Sequence, residues 1–193
     1  MTAAQAAERG IEAKRLADLV ASGDLRRVRH GVYAMRGIHH RLELEVAAWL
    51  AIDPKRLSWD QRGAPVAVLS HGSAAALHGL GAIIPGLPEL TVTKRPTVRG
   101  AAMRLHVAPL SVDDWQQLRI EDGLSLPVTA PARTIVDLAL AREEPTYIRR
   151  AIAEALHGAL LDRSGLVSTA ARRKGPSRSI VARISKLYDE ATA

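Results

Sequence analysis

Glycine punctuates the start of this chain at positions that leave it few architectures. Gly10 closes an alanine-rich, helix-prone run at residues 3–9, and Gly23 closes a second helical segment over 12–22, whose Leu16, Leu19 and Val20 form one apolar stripe. Directly afterwards, Leu25-Arg26-Arg27-Val28-Arg29-His30-Gly31-Val32-Tyr33-Ala34 reads as two short strands turning at His30-Gly31, where glycine tolerates positive φ. Helix, short break, helix and hairpin is the order of a winged helix-turn-helix. The polar face of the second helix would present Lys14, Arg15 and Asp18, and the hairpin would set Arg26, Arg27 and Arg29 against phosphates or into a minor groove.

The charge balance agrees with a polyanionic partner. Of 193 residues, 27 are Lys or Arg against 20 Asp or Glu, a formal net charge of +7. The excess sits in three places: the hairpin, the acid-free stretch 91–108 with Lys94, Arg95, Arg99 and Arg104, and the segment from Arg172 that includes Arg173, Lys174, Arg178, Arg183 and Lys186. Taken singly, each is accounted for by a solvated face. Together they favour nucleic acid over a membrane surface, because none combines a basic face with exposed Trp or Phe. The chain has no cysteine, which excludes a disulfide framework, cysteine-bound zinc, iron–sulfur clusters and thiol catalysis. The first twenty residues lack the order of a signal peptide, and charged residues interrupt any window long enough to cross a bilayer, so a cytoplasmic location is expected.

The remainder predicts an α+β arrangement, in which the winged helix-turn-helix is followed by a mixed, mainly helical domain with a small sheet. Leu42, Val46, Ala47 and Leu50 repeat at helical spacing until Asp53-Pro54. Residues 65–70 read as a buried strand running into a small-residue helix over 72–80. Half-buried strands are expected over 89–94 and 103–107, joined by a basic turn about Pro96 and Arg99, and a connector over 111–123 has room for a short helix about Trp115. Leu126-Pro127-Val128-Thr129 leads into a helix over 131–140, with Thr129 or Ala130 at the cap and Pro131 in the first turn. Arg133 and Asp137 sit four apart, a pair worth a few tenths of a kcal/mol on a helix surface. Three further helices follow: one striped by Ile148, Ile152 and Leu156, one over 163–172, and a last one lined by Ile180, Val181, Ile184, Leu187 and Tyr188, with Ser177 as its N-cap. The expected division is a DNA-binding domain over 1–37, either lacking its first helix or completed by 40–52, and an α+β domain over 54–193.

Catalytic signatures are weak. His71, Ser73 and His78 lie close in sequence, but the run is not a G-x-S-x-G elbow, and the histidines lack the glutamate and spacing of H-E-x-x-H. Hydrogen bonding within a packed helix explains them better. The acidic pairs Asp113-Asp114, Glu121-Asp122 and Glu143-Glu144 fall in connectors, and Gly79, Gly81 and Gly86 lack phosphate-loop spacing. No enzyme, metal or cofactor is expected.

Three ordered motifs carry a resemblance over almost the whole length. They are the arginine-rich hairpin Gly23–Tyr33, the run Ser70-His71-Gly72-Ser73-Ala74-Ala75-Ala76-Leu77-His78-Gly79-Leu80, and Leu126-Pro127-Val128-Thr129-Ala130-Pro131-Ala132-Arg133-Thr134-Ile135-Val136-Asp137-Leu138-Ala139. In these the chain resembles the AbiEi-type antitoxins of bacterial type IV toxin–antitoxin systems. The resemblance makes Ser70, Ser73, Gly79, Thr129, Pro131, Arg133 and Asp137 motif positions of the antitoxin domain. It implies an N-terminal domain that binds inverted repeats of operator DNA upstream of its own operon and represses transcription. It also implies a C-terminal domain that counteracts a nucleotidyltransferase-like toxin without a stable complex. The alternative is an antitoxin domain that works mainly through a protein or RNA surface, using the 91–108 and 172–186 segments, with weak or no DNA binding.

Overall fold

Thr2 begins the first helix, in a computed structural model that describes residues 1–38, 41–56, 63–98, 102–121, 124–173 and 177–192. Its hydroxyl accepts from the Gln5 backbone N–H while the Gln5 side chain accepts from the Thr2 N–H, a reciprocal capping box that starts α1 (Ala3–Ala7). Gly10 at φ 76° turns the chain into α2 (Ala13–Ala21), which buries Leu16. The hairpin follows as β1 (Leu25–Arg29) and β2 (Val32–Met35), antiparallel, with Gly31 at φ 73° in its turn and an irregularity between Arg27 and Arg29. The start of the chain is stitched to this wing: Tyr33 N–H donates to the Met1 carbonyl, Ala3 N–H to the Gly31 carbonyl, and Thr2 bridges Val32.

Helix α3 (Glu43–Ile52) packs against both wing strands, and one apolar cluster joins Val28 and Val32 of the wing to Ala47, Trp49 and Leu50 of α3. That cluster continues into the sheet beyond, through Ala67, Leu69, Leu90, Val92, Leu126 and Val128, so wing and sheet share a hydrophobic core. Trp49 is fully buried and its indole N–H donates to the Ala67 carbonyl, tying α3 to the first strand of that sheet.

The sheet has five strands: β3 (Ala67–Leu69), β4 (Glu89–Val92), β5 (Arg104–Val107), β6 (Trp115–Glu121) and β7 (Leu124–Thr129), in spatial order β5-β4-β3-β7-β6. Two sequence expectations are corrected here. The strand expected to be half-buried over 89–94 is buried at all four positions of β4, which runs parallel to β5 with Glu89 opposite Arg104 and Thr91 opposite His106. The helix expected about Trp115 is a single 3-10 turn at Val112–Asp114, started by Ser111, after which Trp115–Glu121 pairs antiparallel with β7. Its polar residues mask a strand whose apolar members, Leu118 and Ile120, pack against the core.

The helices assemble beside this sheet. Helix α4 (His71–His78) ends at Gly79 with φ 70°, α5 (Pro131–Leu140) and α6 (Pro145–His157) each begin on proline, and α7 (Arg163–Arg172) is capped by the Asp162 carboxylate on Gly165 N–H. With α8 (Ser177–Thr192) they bury a second core around Ile135, Leu138, Ile148, Ile152, Leu166 and Ile184. The side chains of Ser177 and Arg178, and residues Arg99 and Lys174, lie outside the described residues. The fold is α+β: a winged helix-turn-helix followed by a mostly helical region with a small mixed sheet.

Candidate nucleic-acid interface and buried polar cleft

The five basic residues predicted to face DNA divide by environment. Lys14 and Arg15 are exposed on the first turn of α2, beside Glu12 and Ala13, and Asp18 shares that face. Arg27 is exposed on β1 and donates to His30 Nδ1 at 2.8 Å within the hairpin, which steers its guanidinium toward the wing tip. Arg26 is engaged elsewhere: its guanidinium pairs with Glu43 of α3 and donates to the Ile38 carbonyl at 3.1 Å. Arg29 is half-buried, and burial lowers its pKa from the ordinary arginine value. Two of the three wing arginines are therefore held against the protein. Alternation along β1 puts Arg27 on the face opposite Arg26 and Val28.

The basic residues of the second region also divide. Lys94 and Arg95 are exposed just after β4. Arg104 is two-thirds exposed at the edge strand, with Nη1 2.7 Å from Glu89 Oε1. Arg172 approaches Asp114 at 3.8 Å, whereas Arg173 is turned inward to Asp137 at 3.4 Å.

Sequence reasoning gave the motif residues a structural role, and the structure brings several of them into one buried polar assembly. Arg133 does not lie on a helix surface as its spacing suggested; its side chain is 1% exposed, as is that of Asp137. Its Nε lies 2.8 Å from Asp137 Oδ2, its Nη1 lies 2.9 Å from Asp114 Oδ2, and Nη1 also donates to the Pro109 carbonyl at 3.2 Å. Thr129 and Thr134 share a 2.7 Å hydroxyl contact that locks β7 to the first turn of α5. Ser70 Oγ pairs with His71 Nδ1 at 2.9 Å, and Ser73 Oγ accepts from Glu89 N–H at 3.0 Å. His78 Nε2 meets the Thr129 carbonyl at 2.7 Å, as expected of a histidine hydrogen-bonded within packed structure.

Glu89 is the hub that sequence reasoning passed over. It accepts from Gly72 N–H at 2.8 Å at the start of α4, where a Cβ on Gly72 would stand 3.1 Å from the same carboxylate. His71 and His106 stack with ring centroids 3.5 Å apart and planes 15° from parallel, and His106 Nε2 is 3.7 Å from Glu89 Oε1. Burial, followed by the positive neighbours His106, Arg133 and Arg173, pushes His71 down to about 3. Burial would raise Glu89, but His106, the Gly72 N–H, His71 and Arg104 outweigh it and hold the carboxyl at about 2. For Asp137 burial prevails and raises the pKa, despite Arg133 and Arg173. The signal for this assembly was available in the sequence: Glu89 and Thr91, like Arg104 and His106, are polar residues two apart in strands, so each pair shares a face.

A cleft of about 470 Å³ opens onto this assembly, lined by His71, Thr91, Arg104, His106, Asp137 and Arg173 with apolar residues of β5 and the end of α5. Among the described residues no group of three or more His, Asp or Glu side chains is placed to hold a metal ion, and no helix is long and apolar enough to cross a membrane.

Residues 2–36 match a family described as transcriptional regulator, AbiEi antitoxin, and that segment coincides with α1, α2 and the wing. Among solved structures, the RV2827C protein from Mycobacterium tuberculosis superposes with a TM-score of 0.64 at 19% identity, over 92% of this chain and 64% of that one. The chain thus spans slightly less than two-thirds of that relative's length, and the likeness is one of fold. No curated protein matches.

Proposed function

We propose that this protein is a non-enzymatic, DNA-binding transcriptional regulator that serves as the antitoxin of a toxin–antitoxin pair in the cytoplasm. The observation that carries the reading is the coincidence of the antitoxin-regulator match over residues 2–36 with a winged helix-turn-helix whose exposed face offers Lys14, Arg15 and Arg27. In this mechanism α2 enters a major groove while the wing lies across the adjoining backbone, with Arg27 as its phosphate contact. Arg26 acts indirectly, by clamping the wing onto α3 through Glu43. The operator would be an inverted repeat upstream of the protein's own operon, bound by two copies and silenced. The toxin partner would be nucleotidyltransferase-like and neutralised without a stable complex, with the exposed Lys94, Arg95, Arg104 and Arg172 supplying the basic surface of the antitoxin region.

A second reading places antitoxicity in that region alone, acting through a protein or RNA surface. It is favoured by the engagement of Arg26 and Arg29 within the fold, which thins the basic surface of the wing. Co-expression with the adjacent toxin gene separates the two. Growth rescued by wild type and lost in a K14A/R15A/R27A variant makes DNA binding necessary. Rescue that persists in that variant, with repression lost, assigns antitoxicity to the second region.

A further inference from the structure

We propose that the cleft between β4, β5 and α5 is a binding site for a nucleoside monophosphate, free or as the terminal unit of a strand. The case rests on polar atoms that the fold buries and leaves without a hydrogen-bond partner. Thr91 is fully buried, lines the cleft, and its Oγ1 has none; Asp137, 1% exposed, also lines it, and its Oδ1 has only the 3.4 Å approach of Arg173 Nη2. Arg173 Nε, on a further wall, is likewise unpartnered, and His106 Nε2 has only the 3.7 Å approach of Glu89 Oε1. An orphaned buried polar atom costs about 1–3 kcal/mol, and two such atoms with two more that have only long ion-pair approaches, around a single cleft, define a recognition surface whose complement is a polar ligand.

The donor and acceptor pattern specifies the chemistry. Arg173 Nε–H and the Thr91 hydroxyl donate, and Arg104 stands two-thirds exposed at the rim; together they suit a phosphate, for which guanidinium is the matching cation. Arg104, Arg133, Arg172 and Arg173 oppose Glu89, Asp114 and Asp137, so the assembly retains a positive excess after its internal pairs are made. A phosphate alone leaves Asp137 Oδ1 unsatisfied, because a carboxylate needs an N–H or O–H from the ligand. The stacked imidazoles of His71 and His106 add a planar π surface beside it. A nucleobase supplies both the ring and the N–H. The cleft lies within the ~300–1,000 Å³ range of small-molecule sites. His71 holds its position at a strained φ of 50°, in the left-handed region that a histidine seldom occupies.

The test uses the full chain with adenosine, guanosine, cytidine and uridine monophosphates, the matching nucleosides, inorganic phosphate and a 5′-phosphorylated dinucleotide. Thermal unfolding reads global binding, and the imidazole Hε1 resonances of His71 and His106 read the cleft. The expected result is that at least one monophosphate raises Tm, shifts both resonances and binds at least tenfold tighter than its nucleoside or inorganic phosphate. Equal affinity for the dinucleotide assigns the ligand to a strand end, and weaker affinity to a free nucleotide; both support the site. Thr91→Val and Arg173→Gln weaken binding at least tenfold, and Thr91→Val leaves apo Tm unchanged or raised because it removes an orphaned hydroxyl. Inorganic phosphate binding as well as every nucleotide, binding unaffected by both substitutions, or no shift of either resonance overturns the proposal. A loss of apo Tm in Thr91→Val would show that the hydroxyl is structural and also overturns it. The outcome is independent of operator binding, which uses α2 and the wing.

Discussion

Arg133 Nε lies 2.8 Å from Asp137 Oδ2 one turn further along α5, and both side chains are withdrawn from solvent. The same guanidinium reaches Asp114 at 2.9 Å and so ties α5 to the turn preceding β6. A buried pair broken on one side leaves an uncompensated charge, at a cost of about 3–5 kcal/mol. Arg133→Met leaves Asp114 and Asp137 with only the longer approaches of Arg172 and Arg173, whereas Asp137→Asn keeps an acceptor facing Arg133. Urea unfolding should show Arg133→Met losing about 3–5 kcal/mol and Asp137→Asn distinctly less; the reverse order would contradict the role of Arg133 as the shared partner.

Stability should fall on acidification in two overlapping steps. His71 titrates at about 3 in the folded chain and near 6.5 unfolded, so the unfolded state binds more protons between those values and stability declines as pH falls through them. His78, also lowered by burial, adds in the same direction. Glu89, at about 2 folded against 4.5 unfolded, contributes stability that is full above 4.5 and lost toward 2. The urea midpoint should therefore drop between pH 7 and pH 4.5. His71→Asn, which tolerates the left-handed backbone, should flatten that drop. A midpoint independent of pH in this window would refute the burial of neutral histidines.

Two glycines two residues apart make a graded backbone test. Gly79 and Gly81 both have positive φ, but a Cβ at Gly79 meets nothing within 4 Å whereas one at Gly81 would stand 2.8 Å from the Tyr147 carbonyl. Gly79→Ala should cost about 1–2 kcal/mol from backbone strain alone. Gly81→Ala should cost clearly more, because the link between α4 and α6 must shift; equal losses in calorimetry would argue against this contact.

The wing arginines should separate in their effects. Arg27→Ala should leave Tm within a degree or two and reduce the salt slope of DNA binding by about one phosphate contact. Arg26→Ala should lower Tm by releasing β1 from α3, with the salt slope unchanged in the folded fraction. The opposite pattern would mean that Arg26 leaves Glu43 to contact DNA.

The winged element was legible because glycine spacing and the Leu16 stripe are local signals, and α5 falls on the span that its proline and apolar period predict, as α7 does on the span expected for it. The parallel pairing of β4 with β5 was not legible, since strand direction depends on where the chain goes in space after Val92. Nor was the burial of Arg133 and Asp137. Spacing on a helix fixes which residues are neighbours, and only the packing of α5 against α4, α6, α7 and α8 decides that this face points inward. Glu89 and Thr91 share a face by their spacing alone, but which partners that face meets is set only once Arg104 and His106 lie opposite.

In the proposed function α2 and the wing bind DNA through Lys14, Arg15 and Arg27. Fluorescence anisotropy against the inverted repeat upstream of the gene, measured across a salt series for wild type and K14A/R15A/R27A, tests it most directly. Wild-type affinity should fall steeply and linearly in log–log form with salt, exceed that for a scrambled duplex, and be lost in a triple variant of unchanged Tm. Equal affinity of the folded variant, or no binding by folded wild type at low salt, would contradict it.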